Sequence, residues 1–289
     1  MKNILLIGAG GRLGAALARE WADICRIEAV TRKELDLRDL PAVEALLRGR
    51  SWDVAVNAAG ATSLEACEDD PALARLVNAD APRLMAETAA DLGRRFIHFS
   101  TDYVFDGRLG RPYREDDPTN PLSIYGETKR DGESAVIGAS SLHVSVRVSW
   151  VFGPDRPSFI DAMLQRAAVE DEIEAVGDKT SCPAYVGDLA AMVAPFLDGL
   201  PGGIYHACNS GACSWSEFAQ EGVDIARELG WKLRARKVRS IPMALVAAFR
   251  AARPPHTPMD CGKWAAATGL EPRPWQEALR EYLAARGPQ

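Results

Sequence analysis

The stretch that leaves this chain the fewest options is its beginning. Asn3 to Ile7 is a short run of β-branched residues and leucine, passing directly into Gly8-Ala9-Gly10-Gly11-Arg12-Leu13-Gly14 and then an Ala/Leu-rich helical pattern to Trp21. Strand, glycine loop and helix in that order make a nucleotide site. Gly8 suits a tight turn, the backbone around Gly10 and Gly11 a close approach to a pyrophosphate, and Gly14 close packing of helix on strand. Arg12 and Leu13 complete the cofactor side of the loop. The spacing G-x-x-G-x-x-G is one residue longer in its first gap than the common dinucleotide fingerprint.

A loop of this kind needs a buried sheet behind it, and the composition allows one. With 289 residues, 47% of them hydrophobic, the chain can bury a large core in one or two domains. Its formal charge of −6 gives no footprint for nucleic acid or an anionic membrane. The apolar start is cut short by glycines and no apolar run reaches the length of a membrane span, which points to a cytoplasmic protein. Cys25, Cys67, Cys182, Cys208, Cys213 and Cys261 are dispersed without a C-x-x-C pair, as are His98, His143, His206 and His256. Reduced thiols, core or pocket histidines and no metal are expected.

A second strand, Cys25 to Thr31, ends in Thr31-Arg32-Lys33 where an acidic residue usually holds a ribose hydroxyl. Arg32, with Lys33 and Arg12 in support, would suit a 2′-phosphate, so NADPH is preferred and NADH stays open; a solvated charge pair is the plainer alternative. Asp36 is placed to accept from an adenine amino group, Leu37 follows it, and Asp39 caps a short helix to Gly49. Asp53 to Asn57 is a third strand. The small residues Ala58-Ala59-Gly60-Ala61-Thr62 after it would let a ring or ribose approach, with Ala58, Ala59 and Thr62 as contacts. The acidic patch Glu65 to Asp70 reads as a solvated helix end. Pro71 to Gly93 reads as helix interrupted at Pro82, with Leu73, Leu76, Val77, Leu84 and Met85 facing inward.

Arg95 to Phe99 is a fourth strand, running into Ser100-Thr101-Asp102-Tyr103-Val104-Phe105, and a polar loop to Pro121 follows. Tyr125 and Lys129 then share one face of a helix. A cation near a phenol favours its ionised form and makes it a better acid at neutral pH, while Thr101 could hydrogen-bond a carbonyl oxygen. Together the three suit ketone reduction, although a packed ring beside a solvated charge gives the same spacing. Leu142 to Trp150 is a fifth strand. Strands alternating with helix-length crossovers predict a doubly wound parallel α/β sheet with ligands at its carboxyl ends. Beyond Pro154 the pattern changes, with helices at Ser158 to Val169, Asp188 to Leu197, Trp215 to Leu229 and Trp275 to Ala285, a strand at Ile204 to Cys208, and many basic residues from Arg227 to Arg253 that read as a solvated face.

These motifs, with Leu35-Asp36-Leu37, Asn57-Ala58-Ala59, Tyr125-Gly126-Glu127-Thr128-Lys129 with Gly132-Glu133, Arg147-Val148-Ser149-Trp150-Val151-Phe152 and Gly203-Ile204-Tyr205-His206, resemble the extended short-chain dehydrogenase/reductases, and within them the dTDP-4-dehydrorhamnose reductase family. The resemblance covers nearly the whole chain. It implies an NADP-binding Rossmann domain over residues 1–150, with 176–198 packing back on it, and a smaller α/β substrate domain over 151–289. It further implies reduction of the 4-keto group of a nucleotide-linked 6-deoxy sugar by NADPH. Tyr125 would be the proton donor, Lys129 would hold the nicotinamide ribose and lower the Tyr125 pKa, and Thr101 would orient the carbonyl. Tyr103 and Trp150 would line the sugar pocket, and Arg253 would reach the diphosphate. A homodimer is compatible with the resemblance. Ser181-Cys182-Pro183-Ala184 and Arg253-Pro254-Pro255-His256-Thr257 depart from the family pattern on the substrate side, keeping open a different sugar or carbonyl substrate. A non-catalytic NADP-binding regulatory subunit is the remaining alternative.

Overall fold

The computed structural model describes residues 1–288. In chain order its first half is β1 (Lys2–Ile7), α1 (Arg12–Glu20), β2 (Cys25–Val30), α2 (Leu40–Gly49), β3 (Val54–Asn57), α3 (Leu64–Asp69), α4 (Pro71–Arg75), α5 (Ala81–Asp91), β4 (Arg95–Thr101), α6 (Ile124–Ala139) and β5 (Val144–Val148). The second half is β6 (Val151–Phe152), α7 (Phe159–Val169), β7 (Ile173–Val176), β8 (Thr180–Ser181), β9 (Ala184–Tyr185), α8 (Val186–Leu197), β10 (Gly203–His206), β11 (Cys213–Ser214), α9 (Trp215–Glu228), β12 (Val238–Ile241), α10 (Gly262–Thr268) and α11 (Trp275–Arg286).

Six of these strands form one parallel sheet in the order β10-β5-β4-β3-β1-β2. Strands covered on both faces must be apolar almost throughout, and β1 is: Ile4, Leu5, Leu6 and Ile7 are all buried. Leu6 packs with Val56, Ile97 and Val146 on one face, while Leu5 packs with Val43, Ala55, Met85 and Phe96 on the other. The chain leaves β1 for β2 in one direction and for β3 in the other. That reversal opens a crevice at the carboxyl ends of β1 and β3.

Elements beyond residue 150 also build the core of the main sheet. α8 lies against α1 and buries Leu189, Val193 and Phe196 in the core of the main sheet, β10 is an edge strand of that sheet, and Trp264 of α10 packs there too. A second core gathers Phe152, Ile160, Leu164, Phe218, Trp275 and Leu279 from α7, α9 and α11. Beside it β12 pairs with β7, a parallel pair the sequence patterning missed because both strands are short and β12 is largely exposed.

The segment from Pro71 to Gly93 also differs from expectation. Pro82 does not interrupt it: Pro82 falls in the first turn of α5, and a π-helical turn, Leu76–Asp80, takes up the register before it. The face turned inward is Ala74, Asn78, Ala79, Met85, Ala86 and Ala89, while Leu73, Leu76, Val77 and Leu84 are only half-buried. Small residues win because α6 approaches closely: a Cβ on Gly132 would lie 2.1 Å from the Asn78 carbonyl oxygen.

Candidate active site

The glycine loop is shaped by backbone contacts. Gly8 has φ +88°, and a Cβ there would meet the Ala59 nitrogen at 2.6 Å, so the turn after β1 lies directly on the small-residue segment after β3. A Cβ on Gly14 would reach the Gly8 carbonyl oxygen at 2.2 Å, which fixes α1 against the turn. Gly11 is the N-cap of α1 and no side chain caps that end. The first amides of the helix, at Arg12, Leu13 and Gly14, are therefore suited to an anion. Gly10 lies beside Thr31, where Arg32 is exposed.

Three expected cofactor side chains are engaged elsewhere. The Arg12 guanidinium donates to the carbonyls of Val151 and Arg156, both at 3.1 Å, and of Pro157, so it ties the loop to residues 151–157 and does not support Arg32. Asp36 is paired with Arg38 at 2.5 Å, and that bond holds its carboxyl down at about 2. Leu37 packs into the core with Val30 and Leu35. Ala58 and Ala59 line the crevice as half-buried residues, and Thr62 is exposed beyond them.

β4 delivers Thr101 to the same end of the sheet, with β3 between it and β1. The Thr101 hydroxyl accepts from the Tyr103 amide at 3.2 Å and donates to Asp102 at 3.2 Å, and it faces the Tyr125 phenol closely enough to favour its ionised form. The Tyr103 and Tyr125 rings meet edge to face, centroids 5.7 Å apart. α6 is started by Ser123, whose hydroxyl accepts from the Gly126 amide, and Gly126 itself has no room for a side chain against the Tyr103 carbonyl. These local constraints bring Tyr125 to Thr101.

Lys129 lies one turn on. Its Nζ donates to the Phe99 carbonyl at 2.5 Å and meets His98 Nε2 at 3.1 Å. Burial shifts Tyr125 up, with Thr101 opposing that shift and the Asp102 charge adding to it. Burial pulls Lys129 down to about 8 and drives His98 well below the ordinary imidazole value. Donor counting agrees with that direction. Asn57 Oδ1 accepts from the Ala59 amide at 3.0 Å, so its Nδ2 donates to His98 Nδ1 at 3.2 Å. The proton of a neutral His98 is then on Nε2, facing Lys129, which favours the amine form of the lysine.

Asp102, which the sequence left without a role, holds the two halves of the site together. It accepts from Thr257 at 2.6 Å and from Ser181 at 3.0 Å, in addition to Thr101, and is 2% exposed. Lys179 sits beside it, fully buried, with its Nζ 4.6 Å above the Tyr103 ring. Asn78 was also missed: it brackets Ala61, accepting from its amide at 2.8 Å and donating to its carbonyl at 2.9 Å.

Trp150 is half-buried with φ +38°, its indole N–H lacks a partner, and its ring lies 5.6 Å from Trp215 in a group that includes Phe159 and Phe249. Arg253 stacks on Phe249 and pairs with Glu65 at 2.8 Å. The acidic patch is only partly a solvated helix end: Asp69 and Asp70 are exposed, Asp69 pairing with exposed Arg250, whereas Glu65 binds Arg253 and Glu68 accepts from the Ile124 amide at the start of α6. Glu133 and Arg147, two motif residues, are likewise a buried ion pair at 2.5 Å. His98, His143 and His206 are buried and hydrogen-bonded. Among the described residues no group of three or more His, Cys, Asp or Glu could hold a metal ion, and no helix is long and apolar enough to cross a membrane.

The sequence matches the family described as RmlD substrate binding domain over residues 1–287. It is 38% identical to a dTDP-4-dehydrorhamnose reductase of Streptomyces griseus, covering 97% of this chain and 93% of that one. It is 39% identical to a probable dTDP-4,6-dihydroxy-2-methyloxan-3-one 4-ketoreductase of Streptomyces antibioticus, covering 98% and 97%. A crystal structure of dTDP-4-dehydrorhamnose reductase from Bacillus anthracis in complex with NADP superposes with a TM-score of 0.91 at 27% identity, covering 99% of each chain. The Rossmann sheet, the glycine turn at its switch point and the match along nearly the entire length agree: this chain belongs to the RmlD substrate-binding-domain family.

Proposed function

We propose that this protein is an NADPH-dependent reductase of the 4-keto group of a dTDP-linked 6-deoxy sugar, with dTDP-4-dehydro-L-rhamnose as substrate and dTDP-L-rhamnose as product. The observation that carries this reading is the juxtaposition of Thr101 and Tyr125 at the carboxyl end of β4, with only β3 between them and the glycine turn. The uncapped first turn of α1 fits a diphosphate, and the small residues Ala58 and Ala59 leave room for a ribose. Arg32 and Lys33 would take a 2′-phosphate. When bound, NADPH supplies a hydride.

The chain's own residues then do the rest. Thr101 orients the carbonyl oxygen. Tyr125 hands that oxygen its proton as negative charge gathers there, and a phenol held protonated by burial is available for this at neutral pH. Lys129 donates to the ribose from its place beside His98. Tyr103 and Trp150 offer aromatic faces to the deoxy sugar, and Arg253 exchanges Glu65 for the diphosphate. A second reading, another dTDP-linked 4-keto sugar, draws support from the Streptomyces antibioticus relative and from Ser181, a departure from the family pattern that touches Asp102.

The test follows loss of NADPH absorbance with dTDP-4-dehydro-L-rhamnose generated in place, and repeats it with Tyr125→Phe. Turnover by the wild type and a loss of about 10²-fold or more in kcat for the variant, with NADPH binding unchanged, is the expected result. Retention of most of the kcat by Tyr125→Phe would remove the proton-donor role. Turnover only with other dTDP-linked keto sugars would move the assignment to the second reading.

A further inference from the structure

Three of the six cysteines, far apart in the sequence, meet in the fold. Cys208 follows β10, Cys261 precedes α10, and their sulfurs are 3.4 Å apart. Cys182, two residues before β9, shares the Met259 carbonyl with Cys208. The Cys182 and Cys208 thiols both donate to the Met259 carbonyl at 3.9 Å, and the Cys261 thiol donates to the Cys208 carbonyl at 3.8 Å. A disulfide needs the two sulfurs to close to about 2.05 Å, a shift of roughly 1.4 Å that side-chain rotation and a small backbone adjustment can supply.

Access to the pair is asymmetric. Cys208 is 1% exposed, whereas Cys261 is half-buried. Its neighbours Asp260 and Gly262 line a surface cavity of about 670 Å³ together with Arg114, Glu115 and Lys263. A small oxidant therefore meets Cys261 first and finds Cys208 behind it, the arrangement of an attacking thiol and a resolving thiol.

We propose that Cys208 and Cys261 are a reversible redox site, oxidised by a peroxide to a disulfide. The Cys261 sulfur attacks a peroxide oxygen, breaking the O–O bond; its thiol proton leaves with the departing oxygen, as water when the oxidant is hydrogen peroxide, and a sulfenic acid remains. The Cys208 sulfur then attacks the sulfenic sulfur, the S–O bond breaks, and the hydroxide leaves as water with the Cys208 proton. Two thiols lose two electrons and two protons, and one peroxide takes up both.

The bridge also reaches the catalytic end of β4. Cys261 lies four residues after Thr257 and Cys182 directly after Ser181, and both hydroxyls are bonded to the Asp102 carboxylate that accepts from Thr101. Drawing residue 261 toward residue 208 displaces the segment that carries Thr257, and hydrogen bonds tolerate only a few tenths of an ångström. Oxidation lowers turnover several-fold. This consequence rests on the function proposed above; the bridge itself does not.

The experiment exposes the full-length protein to hydrogen peroxide, measures intact mass and titratable thiols, and maps the cross-linked peptides before and after dithiothreitol. Expected are the loss of two hydrogens and two thiols, a Cys208–Cys261 peptide, a parallel several-fold fall in kcat, and recovery of all of these on reduction. Cys261→Ser, a change at a half-buried position, should neither cross-link nor lose activity. Six titratable thiols after peroxide, or a bridge to a cysteine outside this pair, would overturn the redox site. A mapped bridge with unchanged kcat would overturn its link to turnover, and because mass is read without substrate, neither result depends on which sugar the enzyme reduces.

Discussion

The crevice floor and the segments that close over it are held by different physics. The floor, from Gly8 to Gly14 and Ala58 to Ala59, is set by backbone packing between elements adjacent in the sheet, and its side chains contribute mainly by being absent. The cover is held by polar side-chain pairs between distant segments: Thr257 to Asp102 across 155 residues and Arg253 to Glu65 across 188. The first kind of order tolerates almost no added atoms. The second tolerates exchange of partners, which suits a surface that must open for a substrate and close on it.

The largest effect should come from adding atoms to the floor. In Gly14→Val the new Cβ would lie 2.2 Å from the Gly8 carbonyl oxygen and 2.8 Å from the Gly8 carbonyl carbon, neither of which can rotate away. The helix must lift from the turn. A loss of roughly 3–5 kcal/mol in unfolding free energy is expected by urea denaturation, together with loss of NADPH binding. Native stability in this variant would mean that α1 does not need to seat on the glycine turn, and the contrast drawn above would fail at its firmer end.

The same contrast explains which parts of the molecule were legible in the sequence. The parallel sheet and the glycine turn follow from short-range patterns, apolar strands and a glycine spacing, and Thr101 and Tyr125 were each picked out by a local motif, a strand end and a helix start. Asp102, Asn78 and Lys179 were missed because their partners lie far along the chain, and a lone polar residue beside an apolar run carries no signal of what it will meet. The Arg12 side chain turns away from the cofactor side for a related reason. Its position at the glycine loop is local, but the carbonyls of Val151, Arg156 and Pro157 that capture it are not.

A middle-sized effect separates the two arginines that join α3 to the residues before Thr257. Arg253 is nearly buried and pairs with Glu65, whereas Arg250 and Asp69 are exposed. Arg253→Ala should cost roughly 2 kcal/mol of stability and raise the KM for the dTDP-sugar, and Arg250→Ala should leave both within error. Glu65→Gln sharpens the comparison. If Arg253 also grips the diphosphate, this variant loses stability while its KM holds or falls, because the guanidinium is freed for substrate. A KM rise matching that of Arg253→Ala would instead make the ion pair purely structural.

The last effect is read as a slope with pH. Lys179 donates to the Pro254 carbonyl at 2.8 Å, lies over the Tyr103 ring, and faces the Asp102 carboxylate and the Arg253 guanidinium. Burial lowers it from 10.5 to about 8, the Asp102 charge opposing that shift and the Arg253 charge adding to it. For a base lowered on folding, both states are protonated below about 8, and the full cost of burying the ammonium is present there. Between about 8 and 10.5 the unfolded chain binds more protons than the folded one, so stability rises with pH. Lys129 titrates in the same window and must be cancelled out. Lys179→Met does so, since Lys129 is common to both proteins. The wild type should therefore gain stability relative to Lys179→Met as pH goes from 8 to 10.5, measured as the difference between their urea midpoints. A difference flat across that window would show that Lys179 keeps its ordinary affinity for a proton, and that the cover over the crevice is wetter than its packing implies.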